Sequence, residues 1–83
     1  MTLKQALAAA ADLVEAKGWA QRDDDNDSVC IVQAIVNTSL DLMVPMLNRV
    51  REVIGETDLV AWNDTYGRTQ AEVVMVLRKA ARL

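Results

Sequence analysis

Eighty-three residues, just over half of them apolar, can close one hydrophobic core, and they exclude a second independent domain. A formal charge of -3 with no histidine argues against a general attraction to nucleic acid or anionic membrane and removes histidine as a general base. There is no Phe, and Trp19, Trp62 and Tyr66 are the only aromatic residues, so the core must interlock Val, Leu, Ile, Ala and Met.

Near the amino terminus Lys4 is followed by alanines broken up by Gln5, Asp12 and Glu15. This is not the continuous apolar stretch of a signal peptide or membrane span, so a soluble cytoplasmic protein is expected. Thr2 with Gln5 three residues later reads as a capping box, and Leu3, Leu7, Ala10 and Val14 recur at helical spacing. The pattern predicts a helix over Leu3 to Lys17 with Gly18 as a left-handed cap, and Lys4, Ala8, Asp12 and Glu15 on its outer face. Trp19, just past the cap, is expected to fold back onto Val14.

Gln21 to Ser28 is a polar, aspartate-rich loop, with Asp27 or Ser28 placed to cap a second helix beginning at Val29. From Val29 to Val36 only Gln33 interrupts the apolar character, so this segment is either the central helix or is covered by a second molecule. A buried strand competes, because Val29, Ile31, Val32, Ile35 and Val36 are β-branched. Helix is preferred, since no partner strand is visible elsewhere. Cys30 stands alone, which precludes an internal disulfide and is expected to be a buried thiol in a reducing compartment.

Asn37 to Asp41 breaks the run, and Pro45 suits the first turn of a third helix. Met46, Leu47, Val50, Val53 and Ile54 share one face of that helix, Asn48, Arg49, Arg51 and Glu52 the other, and Gly55 ends it. Leu59, Val60 and Trp62 are expected to return the chain to the core. Thr69 and Glu72 form another capping box, opening a last helix over Gln70 to Arg82 with Val73, Val74, Leu77, Ala80 and Ala81 inward. Arg78, Lys79 and Arg82 lie at its carboxyl end, where cations oppose the helix dipole. The predicted fold is all-α, a compact four-helix orthogonal bundle in a single domain over residues 1–83, with no repeat or linker.

Little chemistry is visible. Asp23-Asp24-Asp25-Asn26-Asp27 resembles the start of a calcium loop, but Ser28 and Ala34 stand where such a loop needs glycine and a bidentate glutamate. One cysteine and no histidine argue against zinc. Cys30 and the hydroxyls lack a histidine base, and neither a phosphate loop nor a nucleophile elbow is present. Asp58 and Asp64 flank Trp62 and with Arg68 are the only acid–base option, yet aspartates bordering turns ordinarily cap backbone. No catalytic residue, cofactor or metal ligand is therefore expected, and the chain does not read as an enzyme.

The segment from Trp62 to Glu72 is the densest in turn residues. Trp62 reads as a core anchor whose indole finds a carbonyl, Asn63 and Asp64 as ligands of loop amides, Gly67 as a residue of unusual backbone angle, and Arg68 as a partner for Asp64. Asn63, Asp64, Tyr66 and Arg68 then form either an exposed recognition knob or plain scaffolding. Apolar residues exceed what four short helices hide comfortably, which marks Val32, Val36, Met75 and Val76 as candidates for self-association into a homodimer.

Ala11 to Trp19, the Cys30 helix with Ala34-Ile35, Val60 to Asp64 with Gly67-Arg68-Thr69, and Ala71 to Val74 together resemble a family of small uncharacterised proteins from actinobacteria and their bacteriophages. The block Trp-Asn-Asp-x-x-Gly-Arg-Thr is its most specific part. The resemblance implies an actinobacterial cytoplasm and an accessory protein made by a phage or its host; it transfers no catalytic residue. The leading expectation is a non-enzymatic protein that binds a host bacterial protein and modulates it. The alternatives are a DNA-binding regulator, in which Arg78, Lys79 and Arg82 touch phosphates, and a small enzyme built on Asp58, Asp64 and Arg68.

Overall fold

Thr2 opens the first helix, α1 (Leu3–Lys17), by accepting from the Gln5 amide at 3.1 Å while Gln5 Oε1 accepts from the Thr2 amide at 2.9 Å. A computed structural model describes residues 1–21 and 28–83, and in these the chain is all-α. Along α1 the buried positions Ala6, Leu7, Ala10, Ala11 and Val14 follow the helical period. Three of those residues, Ala6, Ala10 and Ala11, are small enough to let neighbouring helices approach closely. The helix stops at Gly18, whose amide donates to Val14 O. Its backbone (φ 86°, ψ 159°) is not the left-handed cap expected. It lies in the extended positive-φ region that glycine alone occupies readily, and the chain leaves the helix straight into Trp19.

The second helix, α2 (Ile31–Thr38), begins two residues later than Val29. Val29 instead pairs in a single parallel bridge with Trp19, with Val29 N donating to Gly18 O at 3.0 Å and Ala20 N to Val29 O at 3.1 Å. Among the described residues the competing strand therefore shrinks to one bridge. Ser28 is not the cap. Cys30 is: its Sγ accepts from Gln33 N at 3.4 Å and Gln33 Oε1 accepts from Cys30 N at 3.0 Å. Cys30 is half-buried rather than a core thiol. Asp27, like the rest of the aspartate run Asp23–Asp27, lies outside the described residues.

Ser39 Oγ accepts from the Leu42 amide at 3.2 Å and turns the chain into α3 (Met43–Ile54). Pro45 occupies the first turn, where its missing donor costs nothing, and Gly55 closes the helix with left-handed geometry at φ 75°. Met46 and Val50 are fully buried, and Leu47, Val53 and Ile54 pack beside them. A fifth helix replaces part of the expected connection: α4 (Leu59–Asn63), begun by Asp58, whose Oδ1 accepts from Ala61 N at 3.0 Å. Its short length hid it from periodicity. Leu59 is buried as expected, whereas Val60 is 53 % exposed and does not return to the core. The last helix, α5 (Gln70–Arg82), starts at the Thr69–Glu72 capping box and buries Val73, Leu77 and Ala80; Val74 and Ala81 are half-buried.

Helix α1 is the centre of the fold, packing most extensively on α5 and next on α2, while α3 closes against α5 and α2. Helices α1 and α5 run antiparallel, since Asp12 meets Arg78 near the middle of the pair and the Trp19 amide donates to Gln70 Oε1 at its far end. No helix of the described residues is long and apolar enough to cross a membrane.

Candidate functional site at the α4–α5 junction

Leu59 and Asn63 are four residues apart, so they share the inward face of α4. Asn63 is completely buried and is the only buried polar side chain among the described residues. Its Oδ1 accepts from Trp19 Nε1 at 2.7 Å and from Ile31 N at 3.0 Å; its Nδ2 donates to Ala20 O at 3.0 Å and to Asp64 Oδ1 at 3.1 Å. A carboxamide offers two acceptor and two donor positions, and all are used. The Ile31 amide belongs to the first turn of α2, where helix geometry leaves donors without internal partners. One side chain thus ties the end of the α1 exit, the start of α2 and the end of α4 together.

Gln21 reinforces the same joint, its Nε2 donating to Thr65 O at 2.9 Å and Asn63 O at 3.2 Å. Thr65 then folds the loop back on α4, with Oγ1 donating to Ala61 O at 2.9 Å and its amide to Trp62 O at 3.3 Å. Arg68 N donates to Thr65 O at 3.0 Å, and Gly67 between them has φ 87°, a conformation other residues adopt only with strain. The Arg68 guanidinium lies 4.0 Å from the Trp62 ring centre, donates through Nε to Trp62 O at 3.0 Å and pairs through Nη1 with Glu72 Oε2 at 3.0 Å. Stacking, hydrogen bond and ion pair together lock the arginine. The Arg68 hydrogen bond is the main reason that the Glu72 carboxyl is held below the ordinary glutamate range; bonds from Thr69 add to it, and partial desolvation opposes them.

On this braced loop Tyr66 is 98 % exposed. The expected knob therefore divides: Tyr66 projects, Arg68 lies flat against Trp62 with its side chain only 18 % exposed, Asp64 is half-buried, and Asn63 is not exposed at all. Three expectations about bonding are corrected as well. Arg68 pairs with Glu72 rather than Asp64, because the Thr69–Glu72 capping box turns the Glu72 carboxylate back toward the residues just before α5. Asn63 serves the amide of α2 rather than those of its own loop. The indole that donates to a buried acceptor is that of Trp19, which also packs against the core cluster, while Trp62 is the half-buried floor under Arg68. The sequence signal for a buried Asn63 was its four-residue spacing from Leu59.

The self-association candidates do not form one exposed patch. Val32 and Val76 are half-buried against the core, Val36 lines a shallow groove of about 500 Å³ with residues 37–41, and Met75, 60 % exposed, lines another of about 400 Å³ with Glu15, Gln70, Ala71 and Val74. Asp58 is engaged as a helix cap, so Asp58 and Asp64 do not present a free carboxylate pair. No cluster suited to a metal ion occurs among the described residues, and the aspartate run lies outside them. Arg78 bonds to Asp12 at 2.9 Å and also to Glu15, which stabilises its positive charge further.

Over residues 1–83 the sequence matches DUF6197, described as a family of unknown function. The chain belongs to this family. No curated protein and no solved structure matches it.

Proposed function

We propose that this protein is a non-enzymatic interaction module that docks on a partner protein through the α4–α5 loop, with Tyr66 as the presented side chain. The observation that carries the reading is an almost fully solvated tyrosine on a loop braced by Arg68, Thr65, Gln21 and the Asn63 joint. Tyrosine supplies large contact area with few rotatable bonds, and a loop ordered before binding loses little entropy on docking. A partner in the actinobacterial cytoplasm, and a role as an accessory protein of phage or host origin, accord with the resemblance carried by the Trp62 to Thr69 block. The DNA-binding alternative is weakened because Arg78, one of its three phosphate ligands, is already neutralised by Asp12 and Glu15.

The test is affinity capture from actinobacterial lysate with the full chain and with Tyr66→Ala. The expected result is a protein retained by the first and lost by the second, with identical unfolding curves for the two. Capture indifferent to Tyr66, at unchanged stability, overturns the reading.

A further inference from the structure

We draw no further inference here: the strongest candidate, the exposed apolar patch of Leu40 and Val44 at the turn between α2 and α3, stands in a stretch whose only charged residue from 29 to 48 is Asp41, and nothing in the structure shows what covers it.

Discussion

Replacing Asn63 by alanine is expected to be among the most damaging single changes in this chain. The substitution leaves Trp19 Nε1–H, Ile31 N–H and Ala20 C=O without the partners they have at 2.7, 3.0 and 3.0 Å. A buried donor or acceptor stripped of its partner costs about 1–3 kcal/mol, so even the lower figure at each of three groups gives about 3 kcal/mol. A chain of this length is stable by about 4–12 kcal/mol in all, and a loss of that size lowers the melting temperature by more than about 12 °C. Urea unfolding followed by far-UV circular dichroism measures the loss directly. A decrease below about 1 kcal/mol, the net value of a single ordinary hydrogen bond, would refute the assignment of Asn63 as the joint between three chain segments. Asn63→Asp supplies an independent check, since it keeps both acceptor bonds but turns an oxygen toward Ala20 O and Asp64 Oδ1. Only its protonated form can donate to Ala20 O, so its deficit is expected to deepen as the pH rises from the acid range to neutrality; a deficit that shrinks with rising pH contradicts the geometry.

Gly18→Ala is expected to cost about 1–3 kcal/mol in the same assay, because an added Cβ must accept φ 86° and meets Ser28 Oγ at 3.3 Å. Gly67→Ala, with φ 87° but open space around it, is expected to cost less, and an inverted order of the two counts against the steric argument. Cys30→Ser is expected to leave stability unchanged or raise it by up to about 1 kcal/mol, since a hydroxyl is the better acceptor at a helix start; a marked loss would show that the sulfur packs rather than caps. For Glu72→Gln the pH dependence is diagnostic. The folded carboxyl titrates below the unfolded one, so its contribution is present above the unfolded carboxyl range and disappears as the pH falls through the folded value. The stability gap between wild type and Glu72→Gln is therefore expected at neutral pH and absent in strong acid. Arg78→Ala, which removes a bridge among partly exposed side chains, is expected to cost less than about 1 kcal/mol and to do so less at high salt.

Where information is local, the sequence determined the structure. Thr2 with Gln5 and Thr69 with Glu72 specify helix starts because the partners lie within one turn, and the limits of α1 and α5 follow from those boxes and from 3.6-residue periodicity. Pro45 and Gly55 mark the two ends of α3 for equally local reasons. The tertiary structure alone decided the rest. Asn63 reads as a loop residue until α2 and the Trp19 segment are brought against it, from positions 32 and 44 residues distant in the chain. Cys30 became a cap, and Val29 a bridge, because Gly18 and Ala20 pass beside them. Arg68 chose Glu72 over Asp64 once α5 had formed and Trp62 had given it a floor. Capping and periodicity are written within a few residues, whereas burial of a polar group depends on which distant backbone donors converge on it, and that is a property of packing.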